Sequence, residues 1–306
     1  MKVRLSESSE WRTVILILFC YAALAFVLLN PINLPIAVQV ILLVPLITLH
    51  SSLQHECIHG HPFKSQLLNN TLVFAPIGIF LPYLQFKSAH IKHHQNSCLA
   101  VPYEDPESCY QDPDEWANRP KLIQKIFIIN NTLAGRMLIG PAINLTRFAF
   151  YEFRNADLSS CINWVFHLIS CALILEAVNY WSNLPVWVYF VCCYFGYSLL
   201  MVRTFLEHQA HTSLRARSVI IEDTGFFSYL FLNNNLHALH HAYPAVAWYR
   251  LPKLFRKNRQ KLLALNEGYY FKSYWEIFKL YAFSAKEPVA FPTFQDENKL
   301  GLSAHE

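Results

Sequence analysis

The sequence predicts an all-α integral membrane protein in which four transmembrane helices form two hairpins and a helical cytoplasmic cap holds a metal site. Of its 306 residues, 54% are hydrophobic and 15% are charged, and the mean hydropathy of +0.22 does not suit a water-facing surface. Four segments reach the roughly 17 to 20 apolar residues that cross a bilayer core. With 23 Phe, 16 Tyr and 7 Trp against 8 Gly, the composition excludes disordered, low-complexity and collagen-like classes.

Two pairs of apolar segments form the predicted hairpins. The spans are residues 13–29 and 32–49, followed by 158–180 and 184–202. We expect the first span to remain in the mature chain, because its uncharged run exceeds the roughly 7 to 15 residues of a signal-peptide core.

Lysine and arginine predict the orientation of these helices. The turns at residues 30–34 and 179–183 contain none of the 25 basic residues. Because basic residues near helix ends are retained in the cytoplasm, both turns face outward and both termini face the cytoplasm, which in a bacterium means the inner membrane. Residues 50–157 and 203–306 then form the cap, and the whole chain, 1–306, is one domain.

A fifth apolar stretch, Leu72 to Phe86, is too short to span comfortably. Pro76, Gly78 and Pro82 interrupt it. We therefore expect an interfacial or re-entrant helix, which keeps the histidines before and after it on the same membrane face.

Ten of the 14 histidines form four tight groups. They are His55 and His59; His90, His93 and His94; His208 and His211; and His237, His240 and His241. On a helix, residues three and four apart share a face, so each group is expected to direct its imidazoles to one point. Ionisable side chains beside lipid are usually functional, which predicts metal binding. The isolated His50, His167 and His305 are expected to be hydrogen-bonded only.

The number of imidazoles predicts two metal ions. A tetrahedral zinc takes four ligands, so eight or nine histidines imply a second ion. Imidazole suits iron, and two adjacent redox metals supply two electrons to oxygen, so we expect two iron ions with O2 as co-substrate. None of the eight cysteines forms a C-x-x-C pair, and no disulfide is expected.

Three of these motifs resemble the histidine boxes of the membrane fatty acid desaturase and hydroxylase superfamily. The boxes read His55-Glu-Cys-Ile-His59, His90-Ile-Lys-His93-His94 and His237-Ala-Leu-His240-His241. The resemblance runs from the second span to about Pro252. It implies that the iron ligands are His55, His59, His90, His93, His94, His237, His240 and His241, with His208 as the additional histidine that completes the site.

The chain also departs from the family pattern. Thr204 stands where some relatives have an Asn that holds a metal-bound water. Two further histidines, His61 and His211, are expected as extra ligands or as groups that orient a ligand. The same orienting role is open to Glu56, Asp105, Glu107, Glu207 and Asp223, because a carboxylate can accept the second ring N–H of a ligand. The triplet Asn233, Asn234 and Asn235 is expected to cap a helix or to hold water.

The resemblance implies an oxygen-dependent desaturase that acts on a fatty acyl chain, with a hydroxylase of an acyl, alkane or other lipid chain on the same site as the alternative. A third reading is an intramembrane zinc protease, because His55 to His59 spells H-E-x-x-H. That reading leaves the other two boxes unexplained. A metal transporter would place its ligands at mid-span, and a net charge of +4 gives little support to nucleic-acid binding.

Electrons are expected from a separate donor of the ferredoxin, rubredoxin or cytochrome b5 type with its reductase, because the sequence contains no iron–sulfur motif. Such carriers are often acidic, and opposite charge steers encounter. The expected docking surface is the set Arg250, Lys253, Arg256, Lys257, Arg259 and Lys261, for which contact with anionic lipid is the alternative role.

Overall fold

The computed structural model describes residues 10–292, which fold mainly into α-helices. The helices are α1 Trp11–Leu29, α2 Ile36–Ile58, α3 Gln66–Val73, α4 Tyr83–Gln95, α5 Pro113–Asn118, α6 Lys121–Asn130, α7 Leu133–Arg154, α8 Leu158–Trp181, α9 Val186–Thr204, α10 Phe226–Leu230, α11 His237–Ala242, α12 Leu251–Leu265 and α13 Tyr274–Tyr281. Two short strands, β1 Ile220–Ile221 and β2 Tyr270–Phe271, pair in parallel.

Four helices, α1, α2, α8 and α9, are long and apolar enough to cross a membrane, which fits a membrane protein. Three of them match the predicted spans to within two residues. The fourth, α2, begins at Ile36 and continues to Ile58, well past the apolar run that ends at Leu49. This extension places His55 on the same continuous helix as the span. The membrane face of each end stays a prediction.

The two helices that end nearest the histidines, α2 and α9, pack directly against each other. Gly196 lies so close to α2 that an added Cβ would sit 2.8 Å from Ile47 Cγ2. At the same crossing, Thr48 Oγ1 donates to the Gly196 carbonyl at 2.8 Å. A small residue at the crossing lets the two backbones approach, as is common where helices meet in a bilayer.

The prediction of one interfacial or re-entrant helix over residues 72–86 is wrong, because this stretch does not form a continuous helix. Helix α3 ends at Val73, residues 74–82 are irregular, and α4 begins only at Tyr83. Pro76 and Pro82 lack an amide hydrogen and disfavour helix for the residue before them, which explains the break.

Buried side chains hydrogen-bond to the carbonyl groups of this irregular segment. The Tyr189 hydroxyl donates to the Ile77 carbonyl at 2.8 Å, and His167 Nε2 donates to the Ile79 carbonyl at 2.9 Å. Irregular backbone at membrane depth requires such partners. His167 therefore has the structural role predicted for it, as does His50, whose Nε2 lies 3.0 Å from the Tyr21 hydroxyl. His305 lies outside the described residues.

The long helix α7 was not predicted from the sequence. It joins α6 at an angle of 117°. The two helices together are long and apolar enough to cross a membrane, so the described chain has five candidate spans instead of four if this bent pair is counted as one. Gly135 permits the close approach at the bend, because a Cβ there would lie 1.9 Å from the Ile129 carbonyl oxygen.

Candidate metal centre

Nine histidines, eight from the three boxes and His208 from the segment after α9, come together in two adjacent groups. The five-histidine group consists of His55, His59, His90, His94 and His240. The four-histidine group consists of His93, His208, His237 and His241. Within each group, one ring nitrogen per residue lies within 4.8 Å of all the others.

Two helices contribute to both groups, contrary to the expectation that each box directs its imidazoles to one point. On α4, His90 and His94 join the five-histidine group, whereas His93 joins the four-histidine group. On α11, His237 and His241 join the four-histidine group and His240 the other. Consecutive helical residues point about 100° apart, so adjacent members of a box face different groups while residues four apart stay together.

The spacing of the facing nitrogens fits metal coordination. The Nε2–Nε2 distances are 3.0 Å for His59–His90, His93–His208 and His208–His237, 3.1 Å for His237–His241 and 3.2 Å for His94–His240. With metal–nitrogen bonds of about 2.1 Å, two ligands at right angles on one ion would be about 3.0 Å apart. Among the described residues, the buried His55 Nε2 has no hydrogen-bond partner, which leaves its lone pair free for an ion.

Two carboxylates of the loop after α4 fix the orientation of the α4 histidines. Asp105 Oδ1 accepts from His93 Nδ1 at 2.7 Å, and Glu107 Oε1 accepts from His90 Nδ1 at 2.8 Å. A proton held on Nδ1 leaves the lone pair of Nε2 facing the group. Burial lowers the pKa of His93, but the neighbouring carboxylates of Glu107 and Asp105 raise it by more, and the resulting pKa is about 9. This part of the site therefore favours a positive charge.

Asn234 and Glu207 fix the orientation of His237, a member of the four-histidine group, in a similar way. Asn234 Oδ1 lies 3.2 Å from His237 Nδ1, and Asn234 Nδ2 donates to Glu207 Oε1 at 2.9 Å. Glu207 is in turn 2.9 Å from Arg203 Nε. Glu207 therefore acts on His237 through Asn234, because its own distance to His237 Nδ1 is 3.7 Å.

The other two asparagines of the triplet join chain segments. Asn233 Nδ2 donates to the Trp248 carbonyl at 3.1 Å, and Asn235 Nδ2 donates to the Ile221 carbonyl at 2.6 Å. None of the three caps α11, whose N-cap residue is Leu236. The expectation of a helix cap is therefore wrong for this triplet.

Burial keeps most of the clustered imidazoles neutral. It lowers the pKa of His94 to about 3 and holds the pKa values of His208, His237, His240 and His241 well below their usual range, with neighbouring imidazoles adding to the effect. A neutral imidazole retains the lone pair that a metal requires.

Several predicted candidates lie elsewhere. His61 and Glu56 form a separate cluster with Glu10, in which His61 Nδ1 is 2.9 Å from Glu10 Oε2. Glu56 Oε1 accepts from the Trp248 amide at 2.9 Å. His211 Nε2 lies 3.8 Å from Glu267 Oε2, outside both groups. Asp223 accepts from the Gly225 amide and the Ser228 hydroxyl, both at 2.9 Å.

A cavity of about 790 Å³ reaches the four-histidine group. His208, Thr204 and Glu107 line it where it meets this group, and apolar residues line much of the rest. They include Ile47, Phe80, Phe86, Phe148 and Leu200. The cavity can accommodate an apolar chain next to His208.

Comparison with known proteins gives one family match. The model of the family described as fatty acid desaturase matches residues 29–274, which include all nine clustered histidines. Among curated proteins, none matches the chain.

Proposed function

Because the chain belongs to the fatty acid desaturase family, we propose that it is an oxygen-dependent di-iron desaturase that introduces a double bond into a fatty acyl chain of a lipid or acyl thioester. The family indicates an oxidoreductase of the desaturase and hydroxylase type. The observation that carries the finer proposal is the pair of adjacent histidine groups, one of which meets a largely apolar cavity at His208.

The nine histidines would hold two iron ions, five ligands on one and four on the other. When bound, these ions with O2 supply the oxidising power that removes hydrogen from an unactivated methylene. The protein then has to place one pair of neighbouring carbons next to the site and keep other groups away. Asp105, Glu107 and Asn234 support this by fixing the directions of His93, His90 and His237.

The zinc-protease reading is not supported by the position of Glu56. A protease of that type needs the glutamate as a general base beside the metal. Here the Glu56 carboxylate accepts a hydrogen bond from the Trp248 amide and clusters with Glu10 and His61. In addition, His55 and His59 share their group with three further histidines.

The electrons would come from a separate acidic carrier. On α12, Leu251, Phe255 and Leu262 are buried, whereas Lys253, Arg256, Lys257 and Lys261 are exposed. The buried residues pack with Leu239 of α11, the helix that carries the third histidine box. A carrier docked on α12 would therefore approach the metal site through a neighbouring helix.

Lipid analysis of cells that express the chain tests the reaction. The wild type should convert saturated acyl chains to products that lack two hydrogens, as measured by mass spectrometry with double-bond location. His240→Ala should abolish the product, because it removes a ligand of the five-histidine group. His211→Ala is the matched control and should retain it, since His211 lies outside both groups. A product that gains one oxygen instead would establish the hydroxylase.

A further inference from the structure

Glu107 lies between the two histidine groups and approaches both. One carboxylate oxygen, Oε1, accepts from Nδ1 of His90, a member of the five-histidine group, at 2.8 Å. The other oxygen, Oε2, lies 3.8 Å from Nε2 of His93, a member of the four-histidine group. The two oxygens of one side chain are thus directed to different parts of the centre.

The nitrogen that Glu107 Oε2 faces is the metal-binding one. His93 Nδ1 is already bonded to Asp105, and His93 Nε2 is the atom that lies 3.0 Å from His208 Nε2. Two ligands on one ion with bonds of about 2.1 Å are at most about 4.2 Å apart. The observed 3.8 Å is therefore compatible with Glu107 Oε2 and His93 Nε2 on the same ion.

Ligand number and access agree with this assignment. The four-histidine group offers one imidazole fewer than its neighbour. Glu107 lines the cavity, and its side chain is 29% exposed, so the side chain is accessible from the cavity. Glu107 is not within 4.8 Å of every ligand atom of that group, so binding requires the carboxylate to turn toward the ion.

We propose that Glu107 is a direct carboxylate ligand of the ion in the four-histidine group and, through its bond to His90, couples that ion to the five-histidine group. The inference rests on the proposed function, because it presupposes an ion in each group. It gives each ion five protein ligands and makes the two coordination spheres chemically different, five imidazoles against four imidazoles and one carboxylate.

Cobalt(II) is a suitable probe, because its visible absorption is strong in four-coordinate tetrahedral sites and weak at higher coordination number. The purified metal-free chain is titrated with Co2+ as wild type, Glu107→Gln and Glu107→Ala. The wild type should take up two ions with weak bands. In each variant, one ion should show a changed spectrum, with the strong tetrahedral band expected most clearly for Glu107→Ala.

A second pair of variants separates direct binding from action through His90. In a His208→Ala background the four-histidine group loses a ligand and its ion, which leaves one cobalt in the five-histidine group. Direct binding predicts that adding Glu107→Gln then has a much smaller effect than in the wild-type background, because only the bond to His90 is still lost. A spectral change as large in this background as in the wild type would show that Glu107 acts only through His90 and would overturn the proposal, as would identical spectra for wild type and both Glu107 variants. A wild type that binds fewer than two ions would instead contradict the proposed di-iron function.

Discussion

At the scale of single residues, Asp105 organises both the loop after α4 and one of the clustered histidines, His93. Its Oδ1 accepts from His93 Nδ1 at 2.7 Å and from the Glu107 amide at 2.9 Å, and its Oδ2 accepts from the Ala100 amide at 2.8 Å. Asp105 is 3% exposed, so these bonds form away from solvent, where a charge-assisted bond is strong. One buried carboxylate thus connects the loop fold to the direction of an imidazole.

The first prediction follows from this arrangement. Asp105→Asn removes the charge that holds the His93 tautomer, and the affinity for one of the two ions should fall by about 10- to 100-fold. The measurement is metal content per chain under competition with a chelator. Asp157→Asn is the control, because Asp157 is an exposed N-cap residue of α8. Equal weakening of both ions would instead indicate collapse of the loop.

The roles of these residues could be predicted only in part from sequence. Eight of the nine clustered histidines lie in the boxes, where they stand at helical spacing, and the ninth, His208, was singled out as a ligand only by the resemblance to the family. Asp105 and Glu107 were recognised as candidates but could not be separated from solvated charges, because their partners lie 12 and 17 positions away. Glu56 was expected to orient a ligand, yet it lies on the side of α2 that faces Glu10 and His61.

At the scale of elements, hydropathy predicted the four apolar helices because a span requires a long uncharged run. It missed α7, in which Arg136, Asn144 and Arg147 interrupt the apolar residues. The contacts of these polar groups explain the helix: Arg136 Nε donates to the Asn130 carbonyl and Arg147 Nη2 to the Ser108 carbonyl, both at 3.1 Å. Composition alone does not reveal such tertiary partners.

The crossing of α2 and α9 gives the prediction at this scale. Gly196→Ala places a Cβ 2.8 Å from Ile47 Cγ2 and should cost about 1 to 3 kcal/mol of stability through overpacking. The melting temperature of the detergent-solubilised protein measures the effect. Gly196→Ala should cost less in an Ile47→Ala background than in the wild type, because Ile47 Cγ2 is then absent. An equal cost in the two backgrounds would contradict the packing argument.

At the scale of the whole molecule, four helices that are long and apolar enough to cross a membrane support the histidine site, which lies near the ends of α2 and α9. The outer surface of α8 is largely apolar, with Phe166, Ile169 and Leu173 more than half exposed, as expected for contact with lipid. The basic face of α12 lies on the part of the chain that packs against the third box. The fold thus separates a lipid-facing surface from a charged one.

The charged surface carries the last prediction. Replacing Arg256 and Lys257 by Glu should slow reduction of the iron by an acidic donor at low salt, while iron content stays unchanged, because long-range attraction is lost. Stopped-flow reduction at several ionic strengths measures this. Lys121→Glu with Lys125→Glu on α6 is the matched control and should have little effect. Equal rates for both double variants would remove α12 as the docking surface.

The division of each long box between the two groups has a consequence for the spacing of the ions. Because α4 and α11 each supply histidines to both groups, a shift of either helix would move side chains of both groups together. Ions bound in the two groups would therefore be held at an interval that depends on the geometry of these two helices. Substrates of different bulk would then have to adapt to a centre of nearly constant dimensions.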